Sequence, residues 1–309
     1  MRIAVVTTSY PAYDGDPSGH FVETEVAELE RAGHAVRVLR PKPGGAFGWP
    51  GAPTRIRERP TRALEATAWA ASASIQLRLF APERIIAHWC VPCAFPIAVP
   101  ASMPGVRVGR TAEVEIVSHG GDVRLLGALP AGTRSLVVRT LTRRAERWRF
   151  VSEELLVALE SKLSADDARA LRERAVIVPG ALDVPDVRED SLAKRSSIKA
   201  RRLYVCAGRL VASKRIDKVI DYVATSPNHG TRRDERVLLV LGDGPERPHL
   251  EQLAKAWQMD VRFLGTSTRR ETLGWIGAAD ELVHASRVEG LSTVVREAEH
   301  LGVPVTIVS

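Results

Sequence analysis

Two doubly wound α/β domains are what this sequence predicts, and three observations carry the reading. Short apolar runs alternate with amphipathic stretches of helical period along the chain. One charged segment, after Val184, interrupts that alternation. The 309 residues, 45% hydrophobic and 26% charged, are enough for two cores of ordinary size.

The elements follow in order. Ile3–Thr7 comes after a basic start, but its apolar run is too short for a signal peptide and reads as a first strand. Phe21–Arg31 has helical spacing, Ala35–Leu39 is a second strand, and Ala63–Leu79 a long helix. Arg84–Ala87, Glu113–Ser118, Arg149–Val151 and Ala175–Val178 are further strands, with a helix over Glu154–Lys162. The run from Pro185 to Lys199 is charged and poor in large apolar side chains, so it reads as a connection. Domains at 1–185 and 203–309 with a linker at 186–202 follow. In the second domain Leu203–Cys206, Val237–Leu241, Val261–Leu264, Glu281–Ala285 and Val303–Val308 are strands. Ile216–Val223, Arg247–Trp257, Glu271–Ala278 and Ser292–Leu301 are the helices between them. Two such domains are expected to face each other across a cleft, with ligands beyond the carboxyl ends of the strands.

Composition narrows the function. A net charge of +7 suits an anionic partner, and no nucleic-acid module is present, so a phosphorylated ligand or an acidic membrane face leads. Ser135–Phe150 carries Arg139, Arg143, Arg144, Arg147 and Arg149 against the single acid Glu146, which reads either as a basic amphipathic helix on an anionic membrane or as a solvated surface helix. Three cysteines make no disulfide framework and point to a reducing cytoplasm, and no stretch approaches the roughly 18 apolar residues of a membrane span. His88, Cys90 and Cys93 fall one ligand short of a zinc site, so the cysteines read as small buried hydrophobes and no metal is expected.

The sharpest signal lies near the end. Glu289 and Glu297 stand eight residues apart around Gly290-Leu291-Ser292, a turn that opens a helix with Ser292 as its N-cap. Amides of Gly290, Leu291 and Ser292 at a helix start favour phosphate. Eight helical residues separate the two backbones by about 12 Å, more than the roughly 5 to 9.5 Å of a glycosidase carboxylate pair. The pair therefore suits gripping hydroxyls on either side of a bound diphosphate, although two solvated glutamates would share this spacing.

Other strand ends add to it. Gly208-Arg209-Leu-Val-Ala-Ser-Lys214 places a guanidinium and an ammonium on one loop, fit to bracket a diphosphate. Gly242-Asp-Gly244-Pro-Glu246 lacks the third glycine of a dinucleotide fingerprint, because Arg247 stands there, and its glycines read as letting the loop approach the base. Gly19 precedes the first helix, where its missing side chain would let a phosphate come close; an ordinary turn explains it equally. His119-Gly-Gly-Asp122 ends a strand and points polar groups toward the expected cleft.

Taken together these segments resemble the retaining glycosyltransferases of family 4, which have the GT-B fold. Its E-x7-E, G-R-L-x3-K, G-x-G-P and H-G-x-D elements, its glycine-rich first loop and its G-H-x-V turn (Gly33 to Val36) all recur in order. The resemblance implies a cytoplasmic enzyme, peripheral at most to the membrane, that needs no metal. It would move a sugar from a UDP- or GDP-linked donor to a hydroxyl acceptor, lipid-linked or not. It also implies roles: Glu297 holds the ribose hydroxyls, Arg209 and Lys214 the diphosphate, Glu289 a donor-sugar hydroxyl, and His119 the sugar from the first domain. Asp122, Gly19, Gly242, Gly244, Gly290, Leu291 and Ser292 line the donor. Two departures stand out. Pro179-Gly180-Ala-Leu-Asp183 replaces the family's Asn-Gly-x-Asp, and the sequence ends at Gly302–Ser309 where relatives continue, so the second domain is expected to be incomplete. That admits a second reading, a truncated inactive relative that binds a nucleotide or a partner, and a third, a sugar-nucleotide epimerase of the same fold.

Overall fold

The computed structural model describes residues 1–48, 51–101, 112–226, 232–285 and 291–308. It divides into two compact units, Met1–Ala12 with Ser18–Ala181, and Tyr13–Pro17 with Leu182–Ser309.

The first unit runs β1 (Arg2–Val6), α1 (His20–Arg31), β2 (Ala35–Leu39), α2 (Ala52–Glu58), α3 (Arg62–Phe80) and β3 (Arg84–His88). An irregular helical segment, Cys90–Ala98, then leads into α4 (Val99–Ala101). After these come β4 (Glu113–Ser118), α5 (Gly121–Ala128), α6 (Ala131–Arg144), β5 (Arg147–Phe150), α7 (Glu153–Glu160), α8 (Ala165–Arg172) and β6 (Ala175–Ile177). The six strands form one parallel sheet in the order β2-β1-β3-β4-β5-β6. Central strands β3 and β4 are buried almost throughout, as a sheet covered by helices on both faces requires, whereas the edge strand β2 alternates. Strand order reverses between β1 and β3, and the crevice beyond their carboxyl ends is where ligands bind in such sheets.

The second unit runs α9 (Arg188–Ser197), β7 (Arg202–Ala207), α10 (Ile216–Thr225), β8 (Arg236–Leu241), α11 (Arg247–Trp257), β9 (Asp260–Gly265), α12 (Arg269–Ala278), β10 (Glu281–His284), α13 (Thr293–His300) and β11 (Val305–Ile307). Its five parallel strands lie in the order β11-β10-β7-β8-β9, which reverses between β7 and β10. Helices cover both faces: α10 and α11 pack with one apolar cluster around Tyr204, Val219, Ile220 and Leu250, and α12 and α13 with another around Leu203, Leu239, Ile276 and Ala298. Asp280, just before β10, accepts the amide of Leu203 at 2.7 Å.

Two expectations change. The stretch expected as a linker contains α9, which packs on α12. Its lack of large apolar side chains has a physical reason: the contact is made through small residues, and a Cβ on Gly277 would fall 2.4 Å from Ser191 Oγ. Ser135–Phe150 is not one basic helix either. The helix stops at Arg144, and residues 147–150 pair with β4. Trp148 is fully buried, its Nε1 donating to Ser118 Oγ at 3.0 Å. Arg147 and Arg149 turn to the buried Glu115 at 3.1 and 2.6 Å, and Arg139 pairs with Asp167 at 2.6 Å, so these arginines do not share one solvated helical face. Burial alone would raise the Glu115 pKa, but Arg149, Arg84 and Arg147 hold it below its usual range. No helix among the described residues is long and apolar enough to cross a membrane.

Candidate active site

In the second unit the switch point brings together loops far apart in sequence. The loop after β7 carries Gly208, the exposed Arg209 and, in a short 3₁₀ turn, Lys214; the neighbouring strand β10 ends at His284, and its loop leads to α13. His284 is buried, and burial together with the Lys214 charge pushes it down to about 4. Sequence reasoning passed over His284 because it ends an apolar run that reads as core.

Gly242 and Gly244 have another use than letting a base approach. A Cβ on Gly242, where φ is 125°, would fall 2.0 Å from the Gly208 carbonyl oxygen, and one on Gly244 would fall 2.2 Å from that of Leu210. Backbone bonds braid the loops there: Gly208 N–H to Leu241 O at 2.9 Å, Leu210 N–H to Asp243 O at 2.9 Å, Glu246 N–H to Leu210 O at 3.0 Å and Gly242 N–H to Gly265 O at 2.8 Å. The glycines let the two loops approach closely enough for these bonds, which hold the loop that carries Arg209 and Lys214.

Ser292 is the N-cap residue of α13, yet its side chain makes no capping bond. Leu291 is exposed. Glu289 and Gly290 lie outside the described residues. Glu297, on α13, is 5% exposed and accepts from Arg269 Nη2 at 3.1 Å and Nε at 3.3 Å. Arg269 opens α12 beside the capping box of Thr268 and Glu271, and its guanidinium also donates to the Asp183 carbonyl. The carboxylate is thus held in place by a cation that no spacing motif announces, since the two residues meet only through helix packing.

The first unit gathers its polar groups at the ends of β3 and β4. His119 follows β4 and lies edge to edge with His88, the last residue of β3, with ring centroids 5.2 Å apart and planes 13° apart; His88 Nδ1 and His119 Nε2 are 3.0 Å apart. Phe21 and Trp89 flank the His119 ring at 4.8 and 4.9 Å. Asp122 is not a donor-lining group. Only 2% exposed, it accepts from the amides of Cys90 at 2.8 Å, His119 at 3.1 Å and Gly120 at 3.0 Å, tying the two loops together. Gly19 has a packing use of its own: at φ 70° it precedes α1, and a Cβ there would fall 2.4 Å from the Ser9 carbonyl oxygen. Cys90, Cys93 and Cys206 are buried thiols, all pushed upward by burial, Cys206 to about 12. No cluster of three His, Cys, Asp or Glu groups among the described residues is arranged to hold a metal ion.

Burial pushes both His88 and His119 well below their usual 6.5, with Arg149 adding to the shift in each. They are neutral in the fold and chargeable once unfolded. Below pH 6.5 the unfolded chain therefore binds more protons, and stability is lost as pH falls. His284 acts with the same sign. Urea unfolding at pH 7.5 and 5.5, above the carboxylate range, is expected to show a loss of up to about 4 kcal/mol, since each of the three groups contributes about 1.4 kcal/mol over the one pH unit below 6.5. Equal stability at the two values would mean that the histidines are not held neutral.

Two Rossmann-like parallel-sheet units with polar loops at their switch points define the GT-B fold, and solved structures agree. The chain is similar to HepE of Anabaena, solved in complex with UDP-glucose (TM-score 0.67, 18% identity, 99% of this chain and 80% of that one), and to sucrose-phosphate synthase of Thermosynechococcus elongatus (TM-score 0.68, 18% identity, the same coverages). Residues 187–309 match the family model of glycosyl transferases group 1. Over 345 aligned residues the chain is 24% identical to the putative teichuronic acid biosynthesis glycosyltransferase TuaC of Bacillus subtilis (strain 168), covering 99% of this chain and 80% of that protein. These similarities support a GT-B glycosyltransferase.

Proposed function

We propose that this chain is a retaining glycosyltransferase of family 4 that transfers a sugar from a UDP- or GDP-linked donor to a hydroxyl acceptor, without a divalent metal. The observation that carries the reading is the β7/β10 switch point, where Arg209 and Lys214 stand on a loop fixed by backbone bonds in a unit matched by the group 1 model. Cations at a switch point are suited to the charge that grows on a leaving diphosphate. HepE, similar in fold, was solved with UDP-glucose, and TuaC, similar in sequence, is named as a putative teichuronic acid biosynthesis glycosyltransferase. In this reading Glu297 takes the ribose hydroxyls, Glu289 a donor-sugar hydroxyl, and His119 contributes from the acceptor-side unit. With no side-chain nucleophile assigned, the leaving phosphate itself takes the proton from the acceptor.

Calorimetry with UDP and GDP tests the assignment. Glu297→Ala is expected to weaken the preferred nucleotide by about 1.5 to 3 kcal/mol, the cost of hydroxyls bonded to a charged group losing their partner. The same affinity in the folded variant would remove Glu297 from the nucleotide site. Product anomers read by NMR decide the stereochemistry: retention is expected, and inverted product overturns it.

A further inference from the structure

A second histidine, His88, and a glutamate, Glu25, stand behind His119. We propose that Glu25 and His88 are positioning residues that hold His119 as its Nε2–H tautomer, so that its Nδ1 is a hydrogen-bond acceptor. This deepens the reading above, in which His119 meets the transferred sugar.

A neutral imidazole carries one N–H and one lone pair, so across the 3.0 Å contact between His88 Nδ1 and His119 Nε2 one nitrogen donates and the other accepts. The far side of His88 decides which. Its Nε2 is buried, with no hydrogen-bond partner, and the Glu25 carboxylate lies 3.6 Å away. A lone pair on that nitrogen would face a negative charge in a site closed to water; an N–H there turns its positive end toward Glu25. Glu25 is anchored in turn, because Arg149 donates to its other oxygen while also pairing with Glu115 at 2.6 Å. His88 therefore carries its hydrogen on Nε2 and accepts at Nδ1, His119 donates from Nε2, and the lone pair of His119 falls on Nδ1. The charged groups that act on the pair are Glu25 of α1, Arg149 of β5 and Asp122 of α5; Arg149 is shared with Glu115 of β4, and Asp122 is committed to backbone amides. The near-coplanar, edge-to-edge arrangement of the two imidazoles, with Phe21 and Trp89 against the His119 ring, keeps His119 in register with this relay.

The consequence for the ligand is chemical. An acceptor nitrogen takes a hydroxyl or an amide N–H and disfavours a carboxylate, so at this position His119 suits a neutral sugar hydroxyl better than an anionic sugar group.

Long-range proton–nitrogen correlation spectra of the full chain, labelled with ¹⁵N-histidine and recorded at pH 7.5 without ligand, test the proposal. The signals are assigned by their disappearance in His88→Asn and His119→Asn. Pyridine-type Nδ1 with pyrrole-type Nε2 is expected for both residues. A pyrrole-type Nδ1 on His119, or a mixture of its tautomers, overturns the proposal even if nucleotide binding is intact, so the two readings fail separately. In His88→Leu the His119 pattern is expected to shift, and in His88→Asn, whose side-chain oxygen can replace Nδ1 as acceptor, it is expected to be restored. An unchanged His119 pattern in a folded His88→Leu protein would also overturn the proposal; should that variant not fold, the wild-type spectrum still decides.

Discussion

Arg209→Ala and Lys214→Ala are each expected to lower turnover by roughly 10² or more, with little change in melting temperature. Stabilising groups aimed at a developing charge contribute about 10²–10³ each when removed singly. Both residues take part in the loop through backbone groups that alanine keeps, Val211 N–H to Arg209 O and Lys214 N–H to Val211 O, beside Gly208 N–H to Leu241 and Leu210 N–H to Asp243. Removing either charge should therefore leave the braid intact and spare the fold. Lys214→Ala carries a second readout, because loss of its charge should let the His284 pKa rise from about 4 toward its usual range. Turnover with donor and acceptor, with and without EDTA, is the measurement. Activity abolished by the chelator, or undiminished in both variants, would remove these cations from the chemistry.

Gly242→Ala is expected to lose about 3 kcal/mol or more of unfolding free energy, and Gly244→Ala a similar amount. The methyl group would meet a backbone carbonyl at 2.0 Å in the first case and 2.2 Å in the second, and backbone cannot yield as a flexible side chain can. At Gly242 the φ of 125° adds a strain that only glycine escapes. Gly132, in the first turn of α6 with open space where its Cβ would stand, supplies the contrast: alanine there should be neutral or stabilise by about 0.5 to 1 kcal/mol. Urea midpoints of the three variants measure this, and a Gly242→Ala protein as stable as Gly132→Ala would mean that the two loops are not braided.

Much of the secondary structure was legible because its signal is local. The buried strands β4 and β8 and helix α11 show their periods within a few residues, and their ends fall at or within a residue of where the sequence places them. Legibility failed where tertiary pairing overrode local composition. Residues 147–150 allowed two readings, the end of a basic helix and a strand from Arg149; the strand holds because β4 and β6 offer ladders on both sides and Glu115 offers a buried partner for Arg147 and Arg149. The charged stretch around Ser191 looked like a linker because its contact with α12 uses glycine and serine.

The candidate site divides along the same line. That Arg209 and Lys214 share a loop after a strand, and that His119 ends one, is contained in the sequence itself, since chain neighbours stay neighbours in any fold. Which strands lie side by side is not contained there. The positions of β10 next to β7 and of β3 next to β4 bring His284 to Lys214, and His88 to His119. The uses of Gly19, Gly242, Gly244 and Asp122 were decided in the same way. A glycine or a buried carboxylate in a loop fits a ligand or the chain's own backbone equally well on paper; only packing at 2.0 to 2.4 Å, and amides at 2.8 to 3.1 Å, assign them to the backbone.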